Sequence, residues 1–197
     1  MRKLLLAFCM ISLIACNNKQ KENDNNLTKE VVSKEVIEKG ESTITLEWTA
    51  FKLDDKTPVK GTFTDFEVDF NKNAKTKEER LSNSKFKIDK EGVNTEDPAR
   101  DNTITEYFFK NLKGDIHGNI GELKNGQVDI LISMNNKSVT KTFEYAVDED
   151  MIELRGSIDI LDDFMADTAF KALHDACSIL HEGKTWTDVL IRVVVSL

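Results

Sequence analysis

Val128-Asp129-Ile130-Leu131-Ile132-Ser133-Met134, then Asn135-Asn136-Lys137-Ser138, then Val139-Thr140-Lys141-Thr142-Phe143-Glu144-Tyr145-Ala146-Val147 is the stretch from which the fold can be read. Apolar residues alternate on both sides of the polar tetrad: Val128, Ile130, Ile132 and Met134 before it, Val139, Phe143, Tyr145 and Val147 after it. Lys141 is the polar exception in the second row. A period of two belongs to a strand with one buried face. Two such runs joined by a short polar turn make a β-hairpin.

The same alternation spreads outward along the chain. Ile44, Leu46, Trp48 and Ala50 show it, as do Phe66, Val68 and Phe70 after Gly61-Thr62-Phe63, and then Phe86 and Ile88. It returns in Ile152, Leu154, Gly156, Ile158 and Ile160, and in Val189, Ile191, Val193 and Val195. Residues 115–123 add a strand between Gly114 and the Lys124-Asn125-Gly126 turn, for about eight in all. Two helices are expected. One is short, over residues 103–111; the other spans residues 167–181, with Phe170, Leu173, Cys177 and Leu180 on one stripe, an Asp167-Thr168 start and a Gly183 stop. Two helices cannot cover so many two-faced strands, so the sheet is expected to close on itself as a mainly all-β antiparallel barrel, which also removes its edges. Eight strands enclose room for one small ligand where side chains do not fill it. A β-sandwich is the alternative the pattern leaves open.

Composition agrees with one folded domain. Of 197 residues 40% are hydrophobic and 31% charged, with 2 prolines, 9 glycines and 3 cysteines, which excludes collagen, a disulfide scaffold and wholesale disorder. The net charge of −8 argues against a nucleic-acid partner, and losing Arg2 and Lys3 with a leader would make the chain two units more acidic.

Such a leader is expected over residues 1–15. Arg2 and Lys3 precede an apolar run from Leu4 to Ile14 of about a dozen residues, too short for the roughly twenty a membrane span needs. Leu13-Ile14-Ala15-Cys16 resembles the bacterial lipobox, in which the signal is cut before the cysteine and the thiol is diacylated, so Cys16 is the expected lipidation site and membrane anchor. Residues 16–42 then read as the lipidated cysteine and a polar tether, with Leu27, Val31, Val32, Val36 and Ile37 among few apolar residues. The folded domain is expected over residues 43–197. Cys9 leaves with the leader and Cys16 carries lipid, so Cys177 is alone and no internal disulfide can form.

Val59-Lys60-Gly61-Thr62-Phe63, then Val93-Asn94-Thr95-Glu96-Asp97-Pro98-Ala99-Arg100-Asp101, then Glu106-Tyr107-Phe108-Phe109 resembles the YceI-like family over about residues 43–197. The family pattern is V-x-G-x-F, a strand, S-I-D-T-x-x-x-x-R-D and a short helix ending in F-F. Ala169 to His174 and Lys184 to Val189 resemble its lipoprotein subgroup common in Bacteroidetes. The resemblance implies a lipocalin-like extended barrel with a hydrophobic tunnel, no catalytic activity and no cofactor beyond a bound polyisoprenoid or isoprenoid quinone. It also implies secretion to the periplasm of a Gram-negative envelope. Asn17 after the lipidated cysteine is compatible with outer-membrane sorting, so an outer-membrane anchor with the domain facing the periplasm is expected, and exposure on the outer surface is the alternative left open. The chain departs from the family at Thr103, where a histidine is frequent, and carries Trp48 in the first strand.

Under that resemblance the tunnel lining is expected from Trp48, Phe63, Phe66, Phe86, Phe108, Phe109, Ile130, Ile132, Phe143, Tyr145, Leu154 and Ile158. Read by themselves, inward phenylalanines equally suit a filled core; the family favours a cavity. One isoprene unit buries about 3–4 kcal/mol of gross apolar free energy, so a few units reach micromolar affinity after association costs. Arg100 and Asp101 are either a polar clamp at the mouth or a local pair fixing the loop before the short helix.

His174, Cys177 and His181 fall on one helix face at spacings that could begin a zinc site, although Cys177 also belongs to the apolar stripe and only three ligands are visible. No Gly-x-Ser-x-Gly, phosphate-cradling glycine loop or CxxC pair occurs. The expected function is therefore an envelope lipoprotein carrying an apolar isoprenoid. A protein-interaction module with a filled barrel is the second reading and a metal-dependent enzyme the third; a homodimer is left open.

Overall fold

A computed structural model describes residues 42–196. The expected leader, Cys16 and nearly all of the tether lie outside the described residues. The strands are β1 (Thr43–Lys52), β2 (Thr57–Phe63), β3 (Phe66–Asp69), β4 (Lys85–Ile88), β5 (Val93–Asn94), β6 (Ile116–Ile120), β7 (Gln127–Met134), β8 (Lys137–Asp148), β9 (Met151–Asp159) and β10 (Asp188–Ser196). The helices are α1 (Lys77–Leu81), α2 (Pro98–Tyr107), continued by a 3-10 turn over Phe109–Asn111, and α3 (Asp167–Cys177).

All ten strands join one antiparallel sheet in the order β3-β4-β6-β7-β8-β9-β10-β1-β2-β5. The two ends of that order belong to one bent hairpin. β2 runs into β3 through Thr64 and Asp65, and β4 runs into β5 through residues 89–92. The Thr64 amide donates to the Gly92 carbonyl at 2.8 Å and the Asp89 amide to the Asp65 carbonyl at 3.0 Å, so the bent strands stay paired across the kink. Counted through their kinks, the ten segments make eight strands, and the curled sheet closes through the hairpin with no long free edge.

At the β7–β8 turn Asn135 and Asn136 both take positive φ, 52° and 57°, between the paired Met134 and Lys137. That is the two-residue turn whose twist matches the strands, and asparagine tolerates it best after glycine. Register then fixes the inward row, pairing Val128 with Phe143, Ile130 with Lys141 and Ile132 with Val139. Lys141 is accommodated because Asp163, from the loop after β9, meets its ammonium at 2.9 Å.

The helices differ from the sequence expectation at their ends. α2 begins at Pro98, five residues before the expected start, because the Asp97 carboxylate accepts from the Ala99 and Arg100 amides at 3.1 and 3.2 Å and Pro98 fits the first helical turn. α3 stops at Cys177, not at 181, and a turn ending at Gly183 (φ +77°) follows. α1 is an addition: Thr76 caps it by accepting from the Glu79 amide at 3.1 Å. α1 closes the barrel where β1 starts, its Arg80 donating to the Ser42 hydroxyl at 2.8 Å and its Leu81 fully buried. α2, α3 and the loops around them cover the other end.

Candidate functional site

A cavity of about 600 Å³ runs inside the barrel, within the range of small-molecule sites. Its wall is built from the inward rows: Ile44, Leu46 and Trp48 of β1, Phe66 and Val68 of β3, Ile130 and Ile132 of β7, and Val189, Ile191, Val193 and Val195 of β10. Leu81 lines it from the α1 end. Its charged and hydroxyl-bearing lining residues, Lys52, Asp97, Arg100, Thr103, His181 and Thr185, come from the end covered by α2 and α3. The lumen is thus apolar in depth and polar at its mouth.

Three glycines explain why so many aromatic rings leave it open. Gly61 pairs with Trp48 across the ladder, and a Cβ there would lie 2.2 Å from Cζ2 of the indole. Gly118 pairs with Phe86, and its Cβ would lie 2.5 Å from Cζ of that ring. A Cβ on Gly156 would lie 2.6 Å from Cγ of Phe143. Each ring lies down on a cross-strand glycine and hugs the wall instead of projecting into the lumen. Other rings cluster edge to face, Phe63 with Phe109 at 5.5 Å and Phe108 with Phe109 at 5.2 Å between centroids, and Phe66 meets the glycine-backed Phe86 in the same way at 6.0 Å.

Of the twelve expected lining residues, Trp48, Phe63, Phe66, Phe86, Phe108, Phe109, Ile130, Ile132, Phe143, Leu154 and Ile158 border the cavity. Tyr145 does not. It lines a separate shallow depression with Thr76, Glu78, Glu79 and Ser82, outside the barrel end that α1 closes. Arg100 borders the cavity and pairs with Asp97 at 3.3 Å. The Arg100 amide, then the Ala99 amide and the guanidinium, hold Asp97 below the ordinary carboxylate range against the opposing effect of burial. Asp101 lies away from the cavity, accepting from the Thr95 amide at 2.7 Å, and so fixes the loop that leads into α2.

His174 and His181 both point Nδ1 at the Thr185 hydroxyl, at 3.1 and 3.0 Å. A hydroxyl has one proton, so Thr185 donates to at most one of the imidazoles, and at least one of them donates its Nδ1–H to the Thr185 oxygen. Burial, then Lys52 and His174, pushes the His181 pKa down. Burial raises the Cys177 thiol, with Lys52 opposing. Because α3 ends at Cys177, His181 is not on its face, and the three side chains do not form the triad that a zinc site would begin from. Among the described residues no group of three or more His, Cys, Asp or Glu is placed to hold a metal. The sequence does not assign Lys52, Asp97, Thr103, Thr185 and Trp186 to the mouth; Asp97-Pro98 carries a readable helix-start signal, Thr103, Thr185 and Trp186 stand out only through the family resemblance, and Lys52 carries no signal.

No family model and no curated protein matches the chain. Among solved structures, a polyisoprenoid binding domain from Saccharophagus degradans aligns over 77% of this chain and 91% of its own, with TM-score 0.54 and 13% identity. BcnA of Burkholderia cenocepacia aligns over 78% and 96%, with TM-score 0.52 and 11% identity. The chain has a lipocalin-like fold. That is the fold the YceI-like resemblance implied, and the bent hairpin, the glycine-backed rings and the mouth between α2 and α3 are features of this lipocalin-like barrel.

Proposed function

We propose that the barrel binds one long apolar chain of isoprenoid type, a polyisoprenoid or the tail of an isoprenoid quinone, for transport, storage or protection in a bacterial envelope. The observation that carries this reading is the open lumen of about 600 Å³, apolar along its depth and polar at one end. Such a site rewards burial of hydrocarbon and orients a ligand by its head. The polyisoprenoid binding domain that shares the fold supports the ligand class. The mouth offers Arg100, Lys52 and His181 to a polar head, an arrangement suited to holding a ligand rather than transforming it. A lumen of this size leaves a barrel filled by its own side chains, and hence the interaction-module reading, without support.

In this reading Cys16 is acylated after removal of residues 1–15, and the domain stays on the outer membrane, facing the periplasm, through the tether. The test is organic extraction of protein purified from its native membranes, followed by mass spectrometry. A stoichiometric isoprenoid is expected, and an empty extract from protein that also fails to bind an added polyprenol would end the proposal. For the anchor, Cys16→Ser is expected to abolish palmitate incorporation; undiminished labelling would refute it.

A further inference from the structure

After α3 the chain makes a tight turn over residues 178–183 and exposes two successive aliphatic side chains, Ile179 at 91% and Leu180 at 75%. Leu180 also borders the cavity, so the exposed tip is the outer lip of the same apolar surface. The turn is held open. The His181 amide donates to the Cys177 carbonyl at 2.9 Å, the Gly183 amide to the Ser178 carbonyl and the Lys184 amide to the His181 carbonyl, both at 2.8 Å, and the two imidazoles grip Thr185 behind it. The backbone so braced presents both side chains to solvent.

Beside the lip stands Trp186, whose indole N–H donates to the Leu53 carbonyl at 2.7 Å and whose ring carries Lys184 Nζ at 4.2 Å and Lys56 Nζ at 4.4 Å from its centroid. Trp186 and Lys52 both border the cavity. A tryptophan and lysines with apolar stems and charged tips are the chemistry of a membrane interface, where rings and stems lie among headgroups. The collar is not strongly basic, since Asp188 pairs with Lys56 and Asp54, Asp55 and Glu182 are close in sequence. It suits a zwitterionic surface as well as an anionic one.

We propose that this lip docks on a lipid bilayer, with Ile179 and Leu180 inserted and Trp186 at headgroup depth, so that the cavity mouth opens onto the membrane. The inference rests on the apolar-ligand reading, because a ligand matching this lumen has its reservoir in a bilayer and the lip joins the two apolar phases without a water-filled step. Two projecting side chains are too few for a protein interface, which needs roughly 800 Å² from each partner, whereas insertion into lipid needs no complementary surface.

The full chain is tested against phosphatidylcholine vesicles whose acyl chains carry bromine, a quencher of tryptophan, with Ile179→Asp/Leu180→Asp as the variant. With Trp48→Phe in both proteins, so that Trp186 is the one tryptophan, the protein with the native lip is expected to lose at least half of its emission and the lip variant less than a tenth; with Trp48 in place, the lip variant is expected to take polyprenol from vesicles at least tenfold more slowly. Equal quenching in both, or none in either, overturns the docking. Emission that changes with protein concentration and not with vesicles would assign the lip to a second copy and overturn it too. Polyprenol supplied in detergent micelles separates the two proposals: binding by both proteins upholds the ligand reading whatever the vesicles show, and binding by neither defeats that reading alone.

Discussion

Gly156 shows how much can rest on one hydrogen atom. The Phe143 ring lies within 2.6–2.7 Å of where its Cβ would be, and that ring is only 2% exposed, so it cannot swing away to solvent. Gly156→Ala must therefore lift the ring off the wall into the lumen. Overpacking of this kind costs about 1–3 kcal/mol, to be read as a lowered urea midpoint at unchanged slope. Affinity for a polyprenol should fall with it, because the displaced ring occupies ligand space. An alanine variant as stable and as tight-binding as the native protein would contradict the account. In the sequence Gly156 is one member of an alternating row; a glycine inside a strand hints at a close approach, but only the register says which ring approaches it. Inward phenylalanines were legible, and their tilt was not.

At the scale of elements, the loop between β9 and α3 and the turn after α3 each depend on one polar cluster. Asp163 neutralises Lys141 on the inward row of β8 and also accepts from the Asp159 amide at 2.7 Å. Asp163→Ala leaves a part-buried ammonium without its partner and frees an amide, at a cost of about 2 kcal/mol by chemical denaturation. The double variant with Lys141→Met should recover part of the loss, since it removes the stranded charge; equal loss in single and double variants would show the pair to be incidental. Around the turn after α3, the sign of the pH effect follows from His181. Its pKa is lowered in the folded barrel from the ordinary 6.5, so the unfolded chain takes up the proton first as pH falls. Stability is held above about 6.5 and declines below it. Carboxylates held low, Glu153 by Arg192 against the opposing burial and then by Arg155, lose their contribution only beneath about 4.5. Melting temperatures between pH 7.5 and 5 should thus fall in the native chain and fall less in His181→Gln. Matching profiles would remove His181 from the explanation. The periodicity revealed α3 but not its end: residues 178–181 continue the apolar stripe, and the two imidazoles on Thr185, a tertiary contact, turn the chain out of it.

For the whole molecule, alternation read from the sequence was sufficient for most strand faces, because a two-residue period constrains each strand whatever its partner, but it left a closed barrel and a sandwich both open and put Tyr145 on the lining row. It could not show the bent hairpin, where Thr64-Asp65 and residues 89–92 interrupt the pattern, nor the helix α1, whose five residues give no period. The property left to geometry was the emptiness of the lumen. Ala50 lies on the lining row of β1 opposite Val59, which lines the cavity as well. Ala50→Phe puts a ring into space that the wall leaves vacant, so the fold should lose less than about 1.5 kcal/mol, in contrast to Gly156→Ala, where no space exists. Ligand binding should respond in the opposite sense. A ligand that binds only the folded barrel at one hundred times its Kd adds about 2.7 kcal/mol of stability, a rise of several degrees in melting temperature for a domain of this size. That rise is expected in the native protein titrated with a polyprenol and should be absent in Ala50→Phe at the same concentration. If the ring is accepted and the polyprenol still raises the melting temperature equally in both, the hydrocarbon binds elsewhere, and the glycine-backed rings serve the packing of the wall alone.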